Sequence, residues 1–347
     1  MHLRHRKRRR PGSRRRLQRT PWPYVAVFVL SALLLGLCLF KLLSYAFDYV
    51  RSQRVSAELR RAYMDDIGDG TALDISGIYA DAPLDLDSLY AEAPTAQEGE
   101  TEWATDAAVP EAATVVAVGP AQIEAADAPL PAIPYPLNPN RTINSRFQKI
   151  RRQNNEIIGW LTLGDLLSEA VVQRDNSYYL RRDYQGYHNV NGAIFLEEHV
   201  DLSTRPYTLT LYGHNMKTGA MFGCLRNYED IGYYRKSPFI TFDTIYEEGR
   251  YVIFSIAEVS LDSRYGNYNG FFRLNTCSTA ERKEIIDGLF RFSKYVCPID
   301  VSVDDQLLLL VTCVGDDSER RVVAARRFRD GETEGGLYVQ AQKAHSI

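Results

Sequence analysis

Residues Tyr24–Phe40 read YVAVFVLSALLLGLCLF and contain no charged side chain. Past Lys41 the run resumes as LLSYAF and ends near Asp48. That is about the ~20 apolar residues a helix needs to cross a bilayer, and Lys41 can snorkel to an interface. Trp22, Tyr24 and Tyr45 stand near its ends, as interfacial aromatics do. The stretch is long for the apolar region of a cleaved signal, and no clear small-x-small site follows it. Ahead of it, residues 1–20 hold ten Lys and Arg and no acid. Basic runs also suit nucleic acid. A hydrophobic span directly behind this one makes it a topogenic signal instead, held on the cytoplasmic side by the positive-inside rule. The expectation is a basic cytoplasmic tail over 1–22 and a single-pass anchor in the cell membrane over 23–47. Everything later then lies outside the cell, with no nucleic-acid partner.

The charge reverses after the anchor. Residues 62–140 hold fifteen Asp and Glu and no Lys or Arg, so the overall formal charge of -3 describes no part of the chain. Arg51–Met64 can continue as a helix. Beyond it the sequence is rich in Ala, Pro, Thr and acids, without a sustained hydrophobic period. Such composition does not bury enough apolar surface to fold. Residues 48–140 therefore read as an acidic, mostly disordered extracellular stalk, 141–330 as the folded domain, and 331–347 as a C-terminal tail.

Within the folded part, apolar runs of strand length recur between turn signals. They are Trp160–Leu163, Ala170–Gln173, Ala193–Leu196, Tyr207–Tyr212, Ile240–Phe242, Arg250–Val259, Leu307–Val311 and Val322–Ala325. Helical spacing marks Asn144–Ile158 at the front and Thr279–Tyr295 before the last two strands. Strands do not alternate with helices, which favours a mixed, mainly β barrel over a doubly wound sheet. Ample sequence remains for one core.

Leu307–Arg327 places Cys313 where one strand gives out and Arg320 and Arg321 where the next begins, with Gly315, Asp316, Asp317 and Ser318 as the turn between. A cysteine at a strand end is most often a small buried hydrophobe. Its company changes that. His214 follows the predicted strand Tyr207–Tyr212 directly, whereas His188 and His199 sit in polar stretches without a strand end. A thiolate nucleophile, an imidazole acid and a guanidinium for a developing oxyanion are the groups that acyl transfer through a thioester requires. Alternation lets only one of Arg320 and Arg321 face the cysteine. The remaining exported cysteines, Cys224, Cys277 and Cys297, leave a disulfide open, and no metal-ligand cluster or cofactor motif is present.

Five segments recur in order: EIIGWL at Glu156–Leu161, VVQRDNSYYL at Val171–Leu180, GAIFLE at Gly192–Glu197, LYGHNMKTGAMFG at Leu211–Gly223, and TC followed by R-x-V-V over Thr312–Val323. With these the chain resembles the class B sortases, membrane-anchored cysteine transpeptidases of Gram-positive bacteria. The inserted helix before the cysteine strand points to class B. The resemblance implies an eight-stranded sortase barrel with an N-terminal helix and that inserted helix. It implies Cys313, His214 and Arg320 as catalytic residues and Asn176 as a substrate contact, without a metal or organic cofactor. It also implies a sorting-signal peptide of an exported protein as donor, and a peptidoglycan-precursor or pilin amine as acceptor. In the family the signal is cleaved through a thioacyl intermediate and the new carboxyl end joined to that amine, which anchors proteins to the cell wall. Water as acceptor would make the chain a thiol protease. A barrel that binds peptide or wall polymer without catalysis is the alternative from another class. On this register Arg320→Ala should be severe and Arg321→Ala mild.

Overall fold

The computed structural model describes residues 22–64, 133–315 and 318–347. The basic tail, most of the acidic stalk and the Asp316–Asp317 turn lie outside the described residues. The chain divides into two compact units, Met1–Arg51 and Ser52–Ile347. Helix α1, Trp22–Met64, runs through the boundary. In the first unit its apolar side chains are exposed all round, and it is the one described helix long and apolar enough to cross a membrane.

The second unit contains β1 Ile157–Leu163, β2 Leu167–Val172, β3 Ile194–Leu196, β4 Thr208–Tyr212, β5 Phe239–Thr244, β6 Arg250–Ser260, β7 Tyr295–Val296, β8 Leu307–Val314, β9 Glu319–Arg327 and β10 His345–Ser346. Eight of them close a barrel in the order β1-β2-β3-β4-β8-β9-β6-β5, while β7 and β10 form a separate pair. Most neighbours are antiparallel, but β2–β3 and β4–β8 are parallel. The parallel β4–β8 pair needs a long crossover. It contains a 3-10 helix at Phe222–Glu229, α3 (Ile231–Lys236), β5, β6 and α4 (Thr279–Arg291).

Period-two alternation builds the core. On β8, Leu308 and Leu310 point into the barrel with Leu209, Leu211 and Val323. Leu307, Leu309 and Val311 point outward, where Ile285, Ile286 and Leu289 of α4 cover them. A strand covered on both faces reads as a continuous apolar run, as this one does. A capping box starts α4: Ser278 Oγ accepts from the Glu281 amide, and Glu281 Oε2 accepts from the Ser278 amide at 3.0 Å. The fully buried Arg282 then pins α4 to the rest, donating to Thr208 Oγ1 and to four main-chain carbonyls, those of Leu274, Val303, Tyr207 and Asp305.

A third cluster covers the outer face of β1–β3. The short helix α2, Ser145–Ile150, supplies Phe147 and Ile150, and the end of α1 supplies Val55, Leu59 and Tyr63. Those three are four residues apart, one stripe of a helix. Tyr63 stacks on Trp160 at 4.5 Å between ring centroids and 6° between planes. Its hydroxyl donates to Asp243 Oδ2 at 2.8 Å. Arg60 Nη2 donates to the Ser168 carbonyl at 2.8 Å. Beneath the helix, burial raises the Glu169 carboxyl above its ordinary range, opposed by hydrogen bonds from Tyr184 and Ser56 and by the Arg60 charge.

Three spans differ from the sequence reading. The front helix ends at Ile150, and Ile157 and Ile158 belong to β1. The inserted helix ends at Arg291, and Tyr295 enters β7. In residues 331–347, α5 (Glu334–Ala341) buries Leu337 and Ala341 against the barrel.

Candidate active site

Strands β8 and β9 fix the first two groups. In their antiparallel register Cys313 lies directly opposite Arg320 and Thr312 opposite Arg321. Directly opposite residues share a face, so Cys313 and Arg320 stand together on the outer face, continuing the row of Leu307, Leu309 and Val311. Arg320 is 8% exposed and Cys313 is half-buried. Arg321 is on the other face. It donates to Glu229, and to Glu258 Oε1 at 2.8 Å. Burial works against ionisation of Glu258, yet hydrogen bonds from Arg321 and Lys294 outweigh it and hold the carboxyl below its ordinary value.

The third group comes from the end of β4. The parallel β4–β8 ladder stops at Tyr212 opposite Val311. Its last bond runs from the Gly213 amide to the Val311 carbonyl at 3.3 Å, and the Thr312 hydroxyl donates to the Gly213 carbonyl at 2.7 Å. Here the chain leaves the sheet and presents His214. Its Nε2 lies 2.6 Å from the Leu180 carbonyl. A carbonyl only accepts, so Nε2 is the donor in this contact. Asn215 donates from Nδ2 to the Cys313 carbonyl at 2.9 Å. The loop that carries the histidine is thus tied to the residue that carries the thiol.

The structure brings Cys313, Arg320 and the His214 loop together at one end of the barrel's outer face. Asn176 is tied to the segment after β3, donating to Glu197 Oε1 at 3.0 Å and Glu198 Oε1 at 3.1 Å, and accepting from the Glu198 amide. The rival His188 is exposed. The other rival, His199, is exposed beside Glu197 at 2.7 Å, a hydrogen bond that raises its pKa. Glu197, Glu198 and His199 are the one described group whose ligand atoms could together hold a metal ion. Its members already bond one another and Asn176. Among the described residues, no two cysteines are joined in a disulfide. Two residues that the sequence reading passed over border the site. Tyr212 is an outward neighbour on β4, its hydroxyl pushed up by burial and drawn back by the Arg320 charge. Asn215 is the other, and its only signal in the sequence is adjacency to His214.

No protein-family profile matches the chain. Curated proteins do. Sortase B of Staphylococcus aureus (strain NCTC 8325 / PS 47) is 26% identical over 189 residues, covering 53% of this chain and 75% of that protein. Sortase B of Listeria monocytogenes serovar 1/2a (strain EGD-e) is 26% identical over 202 residues, covering 56% and 76%. Among solved structures, Staphylococcus aureus sortase B is 25% identical with a TM-score of 0.49, over 55% of this chain and 90% of that one. Bacillus anthracis sortase B, solved in complex with AAEK1, is 26% identical with a TM-score of 0.47, over 54% and 86%. The closed eight-stranded barrel is of the sortase type. Both curated matches are named sortase B, and the chain is similar to them over about three quarters of their length.

Proposed function

We infer that the chain is a membrane-anchored cysteine transpeptidase of the sortase type. The observation that carries this reading is the register that sets Cys313 opposite Arg320, with the His214 loop bonded to the Cys313 main chain. The Cys313 thiolate attacks the carbonyl carbon of a threonine in the sorting signal of an exported protein. Arg320 holds the oxyanion that forms. The C–N bond breaks, His214 gives its proton to the departing amine, and a thioester remains on Cys313. An amine of a peptidoglycan precursor or a pilin then attacks the thioester, passes a proton to His214 and releases the Cys313 thiolate. The α1 span anchors the protein with its N-terminus in the cytoplasm and the barrel outside, and Asn176 lines the peptide path.

The two curated relatives, each named sortase B and each matched over about three quarters of its length, support the reading. The test uses the full chain in detergent with a panel of candidate sorting peptides, with and without an added amine. Intact mass should reveal a peptide adduct on the wild type and none on Cys313→Ala, and the amine should convert the adduct to a ligated product. Hydrolysed product alone, even with amine present, would make it a protease. Peptide binding without any adduct would leave a non-catalytic binding barrel.

A further inference from the structure

The catalytic cysteine lies where its strand loses a neighbour. Up to Val311, β4 supplies the main-chain donors along one edge of β8. Alternate carbonyls of a strand point to the same edge, so the Cys313 carbonyl faces the side that β4 has just vacated. A half-buried carbonyl without a donor costs free energy and lets the strand end fray. The donor that arrives is a side chain, Asn215 Nδ2 at 2.9 Å.

The amide is itself oriented. Its Oδ1 accepts from Arg226 Nη2 at 3.1 Å, and the same nitrogen donates to the Met216 carbonyl at 3.2 Å. A carboxamide with a donor on one side and an acceptor on the other has one orientation that satisfies both. The loop around it is closed tightly. Asn215 bridges Met221, which adopts a positive φ of 50°. A Cβ at Gly223 would lie 2.1 Å from the Met216 carbonyl oxygen, so only glycine fits there.

We propose that Asn215 is a positioning residue for the cysteine and histidine, replacing the missing strand so that β8 stays extended to Cys313 while His214 is released to face it. It acts through the Cys313 main chain and touches no reacting atom. The role rests on the transpeptidase reading, and the test separates the two.

Full-length Asn215→Ala and Asn215→Asp are compared with the wild type in detergent. The aspartate keeps the acceptor for Arg226 and loses the donor to Cys313. Both variants should lower kcat for peptide cleavage by about 10²-fold, the cost of small misplacement in an oriented site, with KM within about two-fold. Their melting temperatures should stay close to the wild type. Alkylation of Cys313 by iodoacetamide, followed by mass on the Cys313 peptide, needs no sorting signal. Asn215→Asp should move its pH midpoint upward, because a carboxylate beside the Cys313 carbonyl opposes thiolate formation. An unchanged kcat, a rise in KM alone, or a loss that follows the unfolded fraction overturns the proposal. If the wild type cleaves no peptide, the transpeptidase reading fails. The alkylation profile then decides Asn215 by itself, and profiles identical to wild type in both variants overturn it.

Discussion

Arg320 and Arg321 are adjacent in sequence and do different work because a strand shows its residues to alternate faces. Arg320 meets Cys313; Arg321 closes the opposite face with Glu229 and Glu258. Arg320→Ala should cut adduct formation by about 10²–10³-fold, the usual loss for one oxyanion donor, and leave the fold intact. Arg321→Ala is now expected to act on stability. It strips one of two shared partners from a pair of carboxylates that keep Lys294, and of these Glu229 is 44% and Glu258 29% exposed. Solvent still reaches both, so the loss should be about 1–3 kcal/mol, below that of a fully buried pair. Denaturant melts and single-turnover rates on the folded fraction check both variants, and a catalytic defect confined to Arg321→Ala would overturn the register argument. The proposed trio of Cys313, His214 and Arg320 could be singled out because each member sits at a strand end, and strand ends are marked by where apolar runs stop. Asn215 and Tyr212 were not, since a main-chain partner and an outward neighbour are set by pairing between β4 and β8, whose sequences lie almost a hundred residues apart.

Strands were easier to read than helices. All eight barrel strands coincide with apolar runs in the sequence, since each is covered on at least one face. Helix limits were not, for identifiable reasons. Phe147, Ile150, Ile157 and Ile158 fit a helical period, but Asn154 turns the chain between them, accepting from the Glu156 amide and donating to the Tyr184 carbonyl. In α5, Gly335 and Gly336 lower helix propensity, and the burial of Leu337 and Ala341 overrides it. The end of α1 is the most consequential case. Its Val55, Leu59 and Tyr63 stripe is plain once the barrel is seen, yet in sequence it is interrupted by charge and adjoins an acidic segment. Tyr63→Phe keeps the stack on Trp160 and removes the hydroxyl from the buried Asp243. It should lower stability by about 1–3 kcal/mol, the cost of leaving a buried acceptor short of a donor. A chemical-denaturation midpoint equal to the wild type would mean that water replaces the hydroxyl.

At the scale of the molecule, that helix changes how the acidic segment is connected. The chain enters residues 65–132 from Met64 and leaves them at Ile133, whose bridge to Arg205 lies on the barrel. Both ends of the segment therefore belong to the Ser52–Ile347 unit, so the acidic residues join two points of one folded body. Each fully buried apolar side chain contributes about 1.5–3 kcal/mol. Val55, Leu59 and Tyr63 together should hold the α1 end to the barrel without help from the covalent link. A specific protease site placed within 65–132 tests this in detergent. After cleavage, the N-terminal piece and the barrel should co-elute in gel filtration and separate only in denaturant. Leu59→Ala combined with Tyr63→Ala should let the cleaved pieces part under native conditions, since large-to-small changes in a packed cluster cost about 2–5 kcal/mol each. Release of the barrel by cleavage of the otherwise unaltered chain would mean that the connection, and not the packing of α1, keeps the barrel with the rest of α1.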